Sequence, residues 1–220
     1  MTNDFKIITS FDDTKGIINY LTNNDKYPFK QKRMRIMIVN NITNDLTNLI
    51  KELFFISDIL IYQNHLIIFY NDEIDELPSI IDSIVYDLGI NFKVHNGIFI
   101  NKNNRGKEVI NYINMIINYL KQDVDIYTDL VSPLLVSNYD KEYLDFFKKY
   151  VLKEIIKDPI TKDIILNYFK NDLNVLKTSK QLYLNRNSIL NRFDNINKNT
   201  GINLQKFNHA ALIYILLNHN

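Results

Sequence analysis

Between Asn185 and Lys198 the chain carries Arg186, Asn187, Ser188, Asn191, Arg192, Asn195 and Lys198 around a short apolar stripe. Ile189, Phe193 and Ile196 make the stripe, at i, i+4 and i+7, which is one face of a helix. Burying that face turns the polar residues outward. Their types suit nucleic acid: arginine matches the edge of guanine, asparagine that of adenine, and serine meets backbone oxygens. If Asn185 caps the helix with its side-chain oxygen, residues 186–188 fall in the first turn, where free backbone N–H groups also attract phosphate. A shorter helix precedes it. Asn174 is expected to cap this one, with Leu176, Ser179 and Leu182 inward and Lys177 and Lys180 outward toward phosphates. Small Ser179 lets a neighbouring helix approach, Leu184 closes the turn, and Gly201 suits the left-handed residue after the second helix. Such a pair has the layout of a helix-turn-helix, whose second helix points its N-terminal turns into the major groove. A polar face with two arginines also fits any solvated helix, so the pattern leaves both readings open.

Other chemistries find little support. The chain has no cysteine, which excludes disulfides, thiolate catalysis and cysteine-ligated zinc. His65, His95, His209 and His219 form no pair at metal-binding helical spacing, and Gly16, Gly89, Gly97, Gly106 and Gly201 are too dispersed for a phosphate loop. No serine sits in a nucleophile elbow. The acidic run Asp72, Glu73, Asp75 and Glu76 could hold a cation but reads more simply as a solvated loop. No cofactor or metal is expected.

Net charge is +1, distributed unevenly: residues 160–220 carry +5 and residues 1–159 carry −4. A basic C-terminal part is what a polyanion partner would require. The run Phe54–Tyr70 is broken by Asp58, Asn64 and His65, and Ala210–Leu217 is about half the roughly twenty residues of a membrane span. With Asp4 and Lys6 at the start there is no secretory signal either, so a cytoplasmic protein without membrane contact is expected. The 35 isoleucines and 32 asparagines, against alanine only at 210 and 211, point to an AT-rich genome.

The elements that must position the polar face follow from periodicity. Ser10 is expected to cap a short helix with Asp12 and Asp13 in its first turn, ending near Asn23 and Asn24. After a basic cluster (Lys30, Lys32, Arg33, Arg35) come a strand at 35–40 and a helix at 44–54. A hairpin turns at Asn64-His65. A helix at 76–88 ended by Gly89, a strand at 91–100 and an amphipathic helix through Val109–Leu120 follow. The β-α-ββ-α-β-α order predicts a small sheet with helices on it, resembling a ferredoxin-like palm. Beyond Leu130 the pattern is helical: one helix at 143–156, then four at about 161–171, 175–183, 186–199 and 206–218. The expected fold class is α+β, with an α/β domain followed by an all-α helix-turn-helix domain. Its divisions are an N-terminal helical segment (1–30), the palm (31–125), a helical connector (126–160) and the helix-turn-helix (161–220).

The C-terminal segment resembles the helix-turn-helix of the PucR/CdaR family of bacterial transcriptional regulators, itself similar to the Fis-type DNA-binding fold. The matching residues are Thr178-Ser179, Leu182, Asn185-Arg186-Asn187-Ser188-Ile189, Arg192, Ile196, Thr200-Gly201 and Leu204. The chain departs from the family at Ser179 (usually Ala), Asn185 (His), Ser188 (Thr) and Asn191 (an aromatic). Upstream, the helix ending at Asp158-Pro159 resembles the segment preceding this module, and residues 33–122 resemble a degenerate GGDEF-like middle domain. Active cyclases have a Gly-Gly-acidic-Glu-Phe turn where this chain has Gln63-Asn64-His65-Leu66, and a metal-binding Asp where it has Asn40-Asn41. Without those groups two-metal phosphoryl chemistry is unsupported, so no enzymatic activity is expected. With only residues 1–30 before the palm, the family's N-terminal sensory domain is expected to be missing.

The resemblance implies a sequence-specific regulator that binds double-stranded DNA. Pairing of half-sites implies a homodimer or higher even oligomer, joined through the palm or the helix at 143–156. It leaves room for an unidentified small-molecule effector. The rival expectation is a ligand-sensing or protein-interaction module that has lost DNA binding.

Overall fold

The computed structural model describes residues 5–71, 74, 76–130, 132–133 and 141–218. The chain divides into two compact units, residues 1–136 and 137–220. The fold class is α+β: a mixed sheet with helices, then an all-helical unit.

The first unit runs β1 (Phe5–Thr9), α1 (Thr14–Asn23), β2 (Arg33–Val39), α2 (Asn44–Leu53), β3 (Asp58–Tyr62), β4 (His65–Tyr70), α3 (Leu77–Leu88), β5 (Val94–Asn101), α4 (Gly106–Leu120) and β6 (Tyr127–Thr128). The sheet order is β1-β3-β4-β2-β5-β6. Its centre, β3-β4-β2-β5, is antiparallel throughout, with α2 and α3 as crossovers, and this is the ferredoxin-like arrangement. Beyond it, β6 runs parallel to its neighbour β5. The strands β2 and β4 carry near-continuous apolar runs because both faces of the sheet are buried. On one face Met37, Val39, Ile59, Leu66 and Ile68 pack with Leu46 and Ile50 of α2 and Ile81 and Ile84 of α3. The hairpin turns on Gln63 and Asn64, both at positive φ, a two-residue turn whose twist matches the strands. Elsewhere in the unit α1 packs on α4, so closely that a Cβ on Gly106 would overlap the Tyr20 carbonyl.

Two expectations near the N-terminus need correction. Residues 5–9 form a strand, pairing with β3 from Phe5↔Tyr62 to Thr9↔Ile59. The α1 cap is Asp13, which accepts from the Gly16 N–H at 2.9 Å, and not Ser10. Asp12 instead accepts from the Lys30 N–H, and buried Asp58 accepts from the Phe11 and Asp12 N–H groups. Asn40 likewise serves the sheet, its side chain accepting from the Lys93 N–H. The acidic residues Asp72, Glu73 and Asp75, and His219, lie outside the described residues.

The second unit opens with a helical run: α5 (Lys141–Phe147), a π-helical turn (Lys148–Leu152) and α6 (Lys153–Ile155). Of its apolar positions, Leu144, Phe147, Val151, Leu152 and Ile155 are buried, and Ile156 at the end of the run is half-buried. Then come α7 (Pro159–Lys170), α8 (Val175–Leu182), α9 (Arg186–Thr200) and α10 (Phe207–Asn218). Among the described residues no helix is long and apolar enough to cross a membrane.

His95 is wholly buried in β5. The Thr128 hydroxyl donates to the Val94 carbonyl at 3.2 Å and so receives the His95 Nδ1–H at 3.0 Å. His95 Nε2 then accepts from the Tyr112 hydroxyl at 2.9 Å. Burial pulls the imidazole from its ordinary 6.5 down to about 3, against the opposing charge of Asp129, and the ring is neutral. The unfolded chain therefore takes up the proton first. Stability is full above about 6.5 and is lost as the pH falls from there toward 3. Between about pH 7 and pH 5 this linkage removes roughly 2 kcal/mol. Denaturant melts of the wild type and His95→Gln at both pH values should differ in pH dependence by about that amount. Parallel curves would contradict the neutral, buried assignment.

Candidate nucleic-acid interface

The second unit builds its polar face from α7 upward. Asp158 caps α7, accepting from the Ile160 N–H at 3.1 Å, with Pro159 in the first helical position that tolerates it. The turn into α8 has Asp172 and Leu173 both at positive φ. Asn174 caps α8 as expected, accepting from the Lys177 N–H at 2.9 Å. An amide ladder ties the two helices: Asn171 donates to Gln181 at 2.6 Å, and Gln181 to Asn167 at 3.1 Å.

Within α8 the inward stripe is Val175, Thr178, Ser179 and Leu182, at i, i+3, i+4 and i+7. Leu176 lies off that stripe and is 53% exposed, correcting its expected inward position. The helix ends in a Schellman motif: the Tyr183 N–H bonds the Lys180 carbonyl at 3.4 Å and the Leu184 N–H the Ser179 carbonyl at 2.9 Å. Tyr183 occupies the left-handed position, φ 54°, where glycine is usual. A tyrosine there costs about 1 kcal/mol relative to glycine.

Asn185 caps α9, accepting from the Asn187 N–H at 2.8 Å. Ile189, Phe193 and Ile196 are buried, the Phe193 ring lying 4.9 Å from that of Tyr168. Gly201 ends the helix at φ 80°. Beyond it the Ile202 N–H bonds the Thr200 hydroxyl, and the Asn203 N–H bonds Nδ1 of buried His209.

The outward set follows from this orientation. Arg186, Asn187, Ser188, Asn191 and Asn195 are exposed along α9, and Lys177 and Lys180 along α8. Among the described residues none of these seven side chains makes a hydrogen bond or an ion pair. Arg192 differs. It is half-buried, and its guanidinium donates to the Asp158 carboxylate and, at 2.7 Å, to the Thr161 hydroxyl. Thr161 in turn donates to Asp158 at 2.8 Å. The Thr161 hydrogen bond, then the Arg192 guanidinium, hold the Asp158 carboxyl below its ordinary range. One carboxylate thus caps α7 and anchors α9. Helical spacing puts Arg192 on the outward face; its clamp depends on Asp158, distant in sequence, and Tyr183 lies in the turn, where no periodicity marks it.

Residues 163–218 match the PucR C-terminal helix-turn-helix domain family. The match spans α7 to α10 and supports a transcriptional regulator. No curated protein matches the chain. Among solved structures the chain is similar to a regulator of polyketide synthase expression from Bifidobacterium adolescentis. The two are 10% identical, with 85% of this chain and 80% of that chain covered and a TM-score of 0.41.

The clamp predicts a thermodynamic coupling. Asp158→Ala and Arg192→Ala should each lower the melting temperature, and the double variant should fall little below the worse single one. Because the folded carboxyl is held low, the clamp acts above the ordinary carboxylate range and is lost as pH falls through the lowered value. Additive losses in the double-mutant cycle would show that the two residues act separately.

Proposed function

We propose that the protein is a sequence-specific transcriptional regulator that binds double-stranded DNA through α8 and α9. The carrying observation is the set of seven exposed side chains without partners among the described residues, on a helix pair whose opposite stripe is buried. Arg186, Asn187, Ser188, Asn191 and Asn195 face the major groove, and Lys177 and Lys180 meet phosphates. Arg192 is a positioning residue: its clamp to Asp158 sets the angle of α9, so it need not reach a base itself. The palm over 31–125 serves as a degenerate cyclase-like domain without catalysis. Its hairpin tip carries Gln63 and Asn64 and no carboxylate. It supplies dimerisation or the binding of an unidentified effector in a cytoplasmic homodimer, with 126–160 as connector to the DNA-binding residues 161–220.

Binding of duplex DNA should weaken steeply with salt. Lys180→Ala should lower affinity for every sequence alike and reduce the salt slope by about one unit. Arg186→Ala should cost roughly 1–3 kcal/mol and relax preference at one base position. Arg192→Ala should weaken all sequences together through loss of positioning. Titration of selected and random duplexes at several salt concentrations distinguishes these patterns. A wild-type chain that binds no duplex even at low salt would favour the rival, a ligand-sensing or protein-interaction module. Light scattering should give twice the chain mass of 26.1 kDa, and a monomer both free and on DNA would contradict the dimer.

A further inference from the structure

We propose that Tyr183, in the turn between α8 and α9, is a direct contact to the sugar–phosphate backbone of DNA, an inference that rests on the DNA-binding reading above. Tyr183 stands in the left-handed position of the Schellman motif, which glycine fills without strain. Its side chain is 96% exposed, the most open of the large apolar and aromatic residues among the described ones. It makes no hydrogen bond through its hydroxyl and no ring contact among those residues. The ring therefore adds nothing to the fold while its backbone is held in an unfavourable conformation. A strained residue that the fold does not reward points to a function outside the fold.

The surroundings identify the partner. Lys180 lies three residues before Tyr183 and Arg186 three residues after, both exposed. The Asn185 cap and the first turn of α9 follow immediately, so the tyrosine sits where a helix-turn-helix meets the strand entering its groove. Between two cations an apolar protein partner is disfavoured and a polyanion favoured. A phenol suits the DNA backbone on both counts: its hydroxyl donates to a phosphate oxygen, and its ring covers the deoxyribose. The ring carries no charge, so the contact adds affinity without adding to the salt slope.

The test uses the full chain and a random-sequence duplex at low salt, with Tyr183→Gly and Tyr183→Phe. Tyr183→Gly should be no less stable to heat than the wild type, since glycine fits the left-handed position. It should nevertheless bind the duplex roughly tenfold more weakly with an unchanged salt slope. Tyr183→Phe should fall between the two, having lost the hydroxyl alone. Wild-type affinity in Tyr183→Gly would overturn the proposal while leaving the DNA-binding reading intact. If Tyr183→Gly instead changes the mass by light scattering, and DNA affinity falls only with that change, the residue is a protein contact and the proposal fails. A wild-type chain with no measurable affinity for the duplex removes the DNA-binding reading, and this contact with it.

Discussion

Burial of Ile189, Phe193 and Ile196 decides how α9 is turned about its axis, and nearly every other feature of the C-terminal unit depends on that angle. Successive helix positions are about 100° apart, so a shift of one residue would carry Leu190, Asp194 and Asn197 toward the interior. An unpaired carboxylate there would cost several kcal/mol. The Tyr168 ring against Phe193 closes the same contact from α7. Asn185 and Gly201 fix where the helix begins and ends, and the Arg192–Asp158 clamp ties its middle to the start of α7. Two helices are thereby held at one angle, and the outward side chains need no internal partner to be well placed.

The legible part of the fold was the local part. Apolar stripes at helical spacing locate α2, α3, α4 and α7 to α10 within about three residues, because each stripe is a short-range property. The hairpin was legible from Asn64, though the two turn residues are Gln63 and Asn64 rather than Asn64 and His65. What escaped depends on distant pairing. The strand at Phe5–Thr9 is only five residues long and gains its partner from β3, some fifty residues away. The frame of α8 is ambiguous in sequence: both Leu176 and Val175 could begin an inward stripe, and small, buried Thr178 decides for Val175.

The candidate site divides the same way. Exposure of Arg186, Asn187, Ser188, Asn191 and Asn195 follows from the buried stripe, so their positions were readable. The engagement of Arg192 was not, because its partner Asp158 lies 34 residues upstream and looks in sequence like an ordinary helix cap. Nor does residue type reveal that Tyr183 is left-handed, since tyrosine is among the residues least expected there. In the first unit, no spacing in the sequence marks His95 out from the other histidines. Only the fold brings Tyr112 from α4 and Thr128 from β6 to its two ring nitrogens.

In the proposed function α8 and α9 present one DNA-facing surface. Backbone amide resonances of the isotopically labelled full chain, followed by NMR as a duplex carrying its binding site is added, test it most directly. The largest shifts are expected at residues 185–188, 191 and 195 with Lys177 and Lys180, and small ones around buried Ile189, Phe193 and Ile196. Shifts centred on the sheet of the first unit, with α8 and α9 unmoved, would contradict it.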